Sequence, residues 1–584
     1  MAVYLREFAN HAAYEAAESG LIKPNVSLCA QEKEVHYKQL VCEETTTYEL
    51  VGSPSYPSEI EGSSSSFVMS FNYKKIDVDS KCNETITEGS DTVTVEIGTN
   101  PSTTTSRIVE GTYDYNGLEI EYSVTQTKFE AKIIAKFNVT DTSNPTNIVN
   151  STSNFSEIEI DGSKQPSVTT GYTFDTVGEH VIKYTLTDAT SIENYAFYDC
   201  ASLTNIVIPD SVTSIGQSAF CGCEKLTSID IPSGVASIGT SAFTWCESLT
   251  SCTIGSGVTS IGNSAFTWCE SLTSITIPDN VTSIGDSAFK GCSGFTSCTI
   301  GSGVTSIGNN AFNYCCENLE SITVNSNNTS YDSRGNCNAL IETSTNKLLL
   351  GCKNTVMPDS VTSIGDDAFH YCTGLTSITI PDSVTSIGNS AFNWCSGLTS
   401  ITIPDSVTSI GDMVFFRCKS LVRLNSDTNG VFNVPTGVTS IGSDTFEGCS
   451  GLTSCTIGSG VTSIGYGAFS SCEKLERLNS DSSGVFNIPT GVTVINDDVF
   501  YYCRKLTAVT INSNVTSIGD RAFWECNSLY SVTSLAMNAP TIGWRTFFNV
   551  RKNGTLRVPI GSTGYDAWMS TDSLGKYNWT KVEQ

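Results

Sequence analysis

The sequence predicts a mainly β chain: a solenoid with a parallel sheet, preceded by small β-sandwich domains. Three observations carry that prediction. Phenylalanines stand at 197, 220, 243, 266, 289 and 312, then 369, 392 and 415, then 446, 469, 500 and 523, most often 23 residues apart, and a fixed period of this length is the mark of a stacked array. A chain of 584 residues is too long for one ordinary core. Charged residues make up only 16% and apolar residues 39%, which suits many short strands and turns.

Residues 1–42 are charged and hold too few apolar positions for a core, so they are expected to order only against a partner. Residues 43–127 alternate like strands around Val93, Val95 and Ile97, with Arg107 between strands and Val124-Thr125-Gln126 at the close. From KFEAKIIAKFNV through HVIKYTLTD, residues 128–188 alternate as a second small β domain of immunoglobulin-like type. Its expected place is over the open edge of the first rung, where an unpaired strand would invite aggregation.

The array spans 189–550. Its unit is clearest in LTSITIPDSVTSIGNSAFNWCSG, where Leu375, Ile378, Ile380, Val384, Ile387, Phe392 and Cys395 form apolar columns that each rung buries against the next. The opening L-x-x-I-x-I alternates as a strand, and Pro381 ends it because proline has no N–H for the ladder. Four residues before each phenylalanine stands glycine, replaced once by Asn496 and once by Glu193. That exchange with asparagine points to positive φ.

Three residues after each phenylalanine comes a cysteine, from Cys200 to Cys526. Parallel strands set neighbouring Cβ vectors alongside rather than toward each other, so the column is expected to hold buried free thiols. Free thiols in bulk imply folding in a reducing compartment. Arg6 and Glu7 stand where an export signal would place its apolar stretch, so ordinary export is not expected.

The longest step, from Phe312 to Phe369, is expected to hold a protruding β-hairpin between Tyr331 and Cys352. Two shorter inserts, RLNSDTNGVFNVP and RLNSDSSGVFNIP, are near copies that point to duplicated repeats. The net charge of −28 disfavours nucleic acid and anionic membranes as partners, and no run of apolar residues is long enough to insert in a membrane as a helix.

The string L-x-x-I-x-IP-x-x-V-x-x-IG-x-x-AF-x-x-C resembles the BspA-like leucine-rich repeat of bacterial and protozoan surface proteins over about 190–550, departing from it at Phe295 and at Asp412-Met413-Val414. The ending GTLRVPIGSTGYDAWMSTDSLGKYNWTKVEQ resembles that family's closing segment, which implies a cap over 551–584. VTVEIGTNPSTTTSRIVEGTYDYNGLEIEYSVTQ is similar to the BACON domain, a small β-sandwich whose members imply carbohydrate or mucin binding. Phe8 to Tyr37 resembles a leader of virion proteins from phages of gut Bacteroidales.

No catalytic group is expected. The four histidines, His11, His36, His180 and His370, are scattered over different regions, which argues against a nucleophile–base constellation. Cys221 and Cys223, and adjacent Cys315 and Cys316, lack the spacing of zinc ligands, and the glycines fall one per rung rather than in a phosphate-binding loop. No metal and no cofactor is expected. One column varies while its neighbours hold: two residues after the phenylalanine stand Trp245, Trp268, Tyr314, Tyr371, Trp394 and Tyr502, but elsewhere Gly, Arg, Ser and Glu. That tolerance implies exposure and leaves two readings, packing against adjacent turns or an aromatic stripe that grips a glycan or protein.

Together these features lead to an adhesion or recognition protein displayed on the head or tail of a phage virion and assembled in the host cytoplasm. Residues 1–42 would attach it to virion proteins, and the solenoid and BACON-like domain would contact a host surface or mucus glycan or protein, with self-association open. A bacterial cell-surface adhesin of the same repeat family, and a structural virion decoration with no external ligand, are the alternatives.

Overall fold

The computed structural model describes residues 3–8, 37–42, 45–60, 66–78, 84–97, 107–126, 132–424, 434–478 and 486–584. Most of the N-terminal attachment segment and the core of both duplicated inserts lie outside them. The chain forms two compact units, Met1–Ala131 and Lys132–Gln584.

In the first unit, Val3–Phe8 pairs antiparallel with Tyr37–Cys42. Thr45–Ser55, Ser66–Val78 and Glu84–Glu96 form one three-stranded sheet. Arg107–Tyr115, Leu118–Gln126 and Glu59–Ile60 form another. Alternation on Ser66–Val78 turns Phe67, Met69 and Phe71 inward, where they meet Val95 of their own sheet and Ile120 and Val124 of the other. This shared core makes the pair of sheets a β-sandwich. Arg107 donates to the Gln126 side chain at 2.7 Å, closing one end of the second sheet.

The second unit begins with Lys132–Val139, whose Ile133, Ala135, Phe137 and Val139 are buried at every second position. On one side it pairs with Gly178–Leu186, and on the other, antiparallel, with Leu203–Val207. The same sheet then continues in parallel through Ser228–Ile231 and Ser251–Ile254. The longer strand of the first rung therefore has no free edge, while Ser191–Ile192 is the end strand of the other ladder. Tyr184 and Phe155 lie 5.3 and 5.4 Å from Phe197 and cover the first ring of the phenylalanine column.

Each rung contributes to two parallel ladders, one from the L-x-x-I-x-I strand and one from the two-residue Ser-Ile strand. In the second, Ser214–Ile215, Ser237–Ile238 and Ser260–Ile261 pair in register at the repeat spacing. Between the ladders a tight turn carries the phenylalanine. Its N–H groups alternate: Ser218, Phe220 and Gly222 donate to Thr240, Ala242 and Thr244 of the next rung, while Cys221 and Cys223 donate within their own turn. Two left-handed residues per turn produce that alternation, two positions before the phenylalanine (Ser218, Ser241, Ser264) and two after it (Gly222, Trp245, Trp268).

The glycines four before the phenylalanine are therefore not the left-handed positions the sequence suggested, since none of them has positive φ. They are required by close approach: a methyl group on Gly239 would lie 2.5 Å from the carbonyl group of Gly216 in the rung below. Glu193 is allowed because no rung precedes it, and Asn496 turns its amide to donate to Ile464 C=O at 2.7 Å. Gly239→Ala is thus expected to destabilise the protein by about 1–3 kcal/mol, whereas Ser241→Gly, at a truly left-handed position, should be neutral or stabilising. Urea unfolding of both variants checks this, and the reverse ranking would restore the positive-φ reading.

The phenylalanine rings stack face to face, 5.0–5.8 Å apart with planes within 18°. The column is broken once, between Phe312 and Phe369. There the insert forms a hairpin, Leu340–Glu342 with Lys347–Leu350, but it does not protrude. Tyr331, Leu340, Ile341, Leu348, Leu350 and Cys352 are buried, and Lys347–Leu350 pairs in parallel with Ser363–Ile364. The insert's apolar runs are the core of a rung.

Gly351 occupies the missing phenylalanine's place in that rung. Its N–H donates to Ala368 C=O at 2.8 Å, the bond a phenylalanine makes elsewhere, and a side chain on it would run into the Phe369 ring. Because the rung has no full turn, the N–H groups of Asn310, Phe312 and Tyr314 find no partner among the described residues.

The cysteines from Cys200 through Cys526 are free thiols. Each column thiol from Cys223 through Cys292, and from Cys395 through Cys526, donates to the carbonyl oxygen of the phenylalanine one rung below, at 3.1–3.3 Å. The sulfurs point at backbone rather than at one another, which is why rung spacing does not join them.

At the other end, Thr555–Val558 and Thr580–Glu583 add two parallel strands after Ser531–Ser534. Trp568 and Tyr565 lie buried over Phe547 and the last rungs, Trp568 donating to Pro540 C=O at 2.9 Å and Tyr565 to Ala536 C=O at 2.7 Å.

Candidate functional site

The variable column two residues after the phenylalanine lies on the turn edge of the solenoid. Trp245, Trp268, Tyr314, Tyr371, Trp394 and Tyr502 all have φ between 59° and 63°. This explains the residues that share the column: Gly222, Gly291 and Gly448 stand there because left-handed backbone favours glycine, not only because the site is exposed.

The structure brings four of the six candidates together. Trp268 lies across Gly291, where any side chain would run into its indole, and so reaches Tyr314 at 6.0 Å. Tyr314 meets Tyr371 at 5.2 Å, and Tyr371 stacks on Trp394 at 5.2 Å. Arg417 and Lys419 close the row, 4.8 and 5.4 Å from the Trp394 ring. The hairpin's missing turn matters here, since it lets Tyr314 and Tyr371 meet directly although 57 residues separate their rungs.

These inner rings are partly buried against each other, so their faces are largely occupied. Trp245 differs: 51% of it is exposed. Tyr502 stands apart, packed on Tyr501 at 4.6 Å with Arg504 over its ring. Packing therefore describes the middle of the column, and Trp245 is left exposed.

His370, invisible as part of the row in sequence, sits 4.3 Å from the Tyr314 ring and contacts Asp367 at 2.9 Å. Burial first, then Asp367 and Tyr371, push the Tyr314 hydroxyl above its ordinary value and keep it neutral. His180 lies far along the chain, 2.7 Å from Asp161. Further along the same edge, burial and then Asp444 push Glu447 up to about 7. Among the described residues no group of His, Cys, Asp and Glu is placed to hold a metal ion, and no helix is long and apolar enough to cross a membrane.

A second aromatic group, which the sequence reading missed, stands at the last rung: Trp524 lies 5.9 Å from Trp544 and 4.3 Å from Phe548, with Arg545 over all three rings. Trp544 falls three residues before Phe547, outside the column two residues after each phenylalanine.

Stacked rungs with parallel ladders, a buried phenylalanine column and variable turn residues define a leucine-rich-repeat solenoid, a fold that presents surface rather than a catalytic cleft. The chain belongs to the BspA type leucine rich repeat family, which matches residues 190–320, 259–347, 341–476 and 482–579. It is similar to a leucine-rich repeat protein from Bacteroides ovatus, at 28% identity over 64% of this chain and 88% of the other, TM-score 0.40. It is also similar to one from Eubacterium ventriosum, at 24% over 67% and 96%, TM-score 0.44, and to a leucine rich cell surface protein from Faecalibacterium prausnitzii, at 27% over 60% and 84%, TM-score 0.36. No curated protein matches.

Proposed function

We propose that the chain is a non-enzymatic adhesion and recognition protein whose turn edge contacts a host-surface or mucus glycan or protein, and that it is displayed on a phage virion. The observation that carries the binding reading is Trp245, a half-exposed indole at the open end of an otherwise self-packed aromatic row. An exposed indole supplies large contact area with a polar handle. The virion reading is supported by the resemblance of Phe8 to Tyr37 and by a solenoid full of free thiols, which suits assembly in a reducing cytoplasm. In it, residues 1–42 attach to virion proteins, 43–127 form a BACON-like domain, 128–188 cap the first rung and 551–584 cap the last.

The cell-surface relative from Faecalibacterium prausnitzii favours a second reading, a bacterial surface adhesin. Immunogold labelling separates the two: gold on purified particles supports the virion, and gold confined to bacterial envelopes supports the adhesin.

The substitution that tests the stripe is Trp245→Gly. Glycine already occupies this column elsewhere, so the fold should hold within about 0.5 kcal/mol, while binding to immobilised mucin should fall about tenfold. Trp268→Ala is a poorer probe because Trp268 packs over Gly291. Undiminished mucin binding by Trp245→Gly would remove the stripe from the reading.

A further inference from the structure

The last rung breaks the repeat, and a cavity of about 490 Å³ opens between it and the C-terminal segment. Phe547 keeps its place in the ring column, 5.4 Å from Phe523. Around it, Arg545 stands in the column that carries Ser218, Ser241 and Asp498 elsewhere and Arg521 one rung below, and Trp544 in the column of Gln217, Thr240 and Asp497. Residues from Ala567 to Lys576 form the opposite wall.

Four features of the lining converge. Arg545 lies 4.4 Å from the Trp544 ring and 4.9 Å from that of Phe548, and Lys576 lies 5.0 Å from the Phe548 ring. Rings hold both cations, and neither makes an ion pair with a described carboxylate, although other basic groups nearby do, as Arg521 does with Asp498 and Lys581 with Asp566. Two cations against one lining carboxylate, Asp572, make a positive site in a chain of net charge −28.

The Trp544 indole is 56% exposed, and such a ring accepts the apolar face of a sugar. Finally, Ser573 lines the cavity with a hydroxyl that is buried and has no hydrogen-bond partner. A buried hydroxyl left unpaired is unfavourable, so a ligand or water that reaches it gains what the protein withholds.

We propose that this cavity binds an acidic saccharide. A uronic-acid-type carboxylate sits between Arg545 and Lys576, the sugar ring rests on Trp544, and ring hydroxyls meet Asp572 and Ser573. The chemistry selects this class: two cations require an anion, the indole and hydroxyl partners require a hydroxylated ring, and the volume suits one or two sugar units. A nucleic acid would carry its further phosphates onto a negative surface. The site shares no residue with the Trp245 stripe, so either can fail while the other stands.

The test is titration of the full chain at low salt with trigalacturonic acid, followed by tryptophan fluorescence and calorimetry, with maltotriose as the uncharged probe and triglutamate as the acidic peptide. Saturable binding of trigalacturonate, with maltotriose at least about tenfold weaker, is the expected result. Arg545→Gln with Lys576→Gln should lower affinity about tenfold, and Trp544→Ala by about fivefold. Lys576→Gln alone is the variant least able to disturb folding, and an unchanged urea midpoint accompanies its loss of affinity. No binding at millimolar trigalacturonate, equal binding by maltotriose or triglutamate, or full affinity in the double variant would overturn the assignment.

Discussion

Phe266→Ala is expected to lower stability by about 3–5 kcal/mol, measured by urea unfolding at neutral pH. The ring is fully buried, with Phe243 stacked at 5.1 Å on one side and Phe289 at 5.3 Å on the other. The void cannot close by drawing the rungs together. Phe243 N–H is fixed to Ala265 C=O and Phe266 N–H to Ala288 C=O, both at 2.7 Å, and the inter-rung glycines already sit at backbone contact. The truncation leaves a cavity with its full cost, and because each rung touches only its neighbours the defect weakens two interfaces at once. Phe312→Ala should cost distinctly less, since Phe312 is stacked on one face only and borders the break in the column. Equal losses at 266 and 312, or a loss below about 1 kcal/mol at 266, would show that ring stacking does not hold the rungs together.

The repeat was legible in the sequence because one physical requirement, burial at the same depth in every rung, writes itself into the same column each time. The Phe266 and Cys269 columns were therefore placed correctly, thiols included. The Gly239 column was recognised but its cause was mistaken: a missing side chain looks the same in sequence whether the backbone is left-handed or merely pressed against Gly216. The true left-handed columns, those of Ser241 and Trp245, show it only in part, through Gly222, Gly291 and Gly448 in one and Asn310 and Asp367 in the other, because the next rung's carbonyls hold other residues there as well.

Three further features were hidden because they depend on what replaces a rung or ends the stack. The hairpin from Leu340 to Leu350 has the alternation of any two-stranded excursion, and only the pairing of Lys347–Leu350 with Ser363–Ile364 reveals it as part of the stack. The aromatic row was seen as six equivalent side chains. Trp268 reaching over Gly291, and Tyr314 meeting Tyr371 across the break, divide it into a packed middle and one open end at Trp245. The cavity at Trp544 and Arg545 escaped notice because the last rung keeps its phenylalanine and loses the cysteine that marks the others.

The second large effect follows from the thiols. Burial, with smaller contributions from neighbouring thiols, pushes Cys223, Cys246, Cys292, Cys395, Cys418, Cys472 and Cys526 well above the ordinary thiol value, and Cys372 up to about 12. Below about pH 8 the folded and unfolded chains both keep these groups largely protonated, and pH has little hold on them. Above it the unfolded chain releases protons that the folded chain retains, so stability falls as pH rises, by about 1.4 kcal/mol per pH unit for each thiol. The seven acting together give a slope on the order of 10 kcal/mol per pH unit, enough to unfold the solenoid within about one unit. The urea midpoint should therefore be flat from about pH 6 to 8 and collapse between about pH 9 and 11. At pH 7.5, iodoacetamide should leave the column thiols unmodified until urea is added, because neither access nor thiolate is available, and dithiothreitol should not move the midpoint. A midpoint at pH 10 equal to that at pH 8 would contradict the buried thiol column, and one lowered by dithiothreitol would mean that the sulfurs are paired after all.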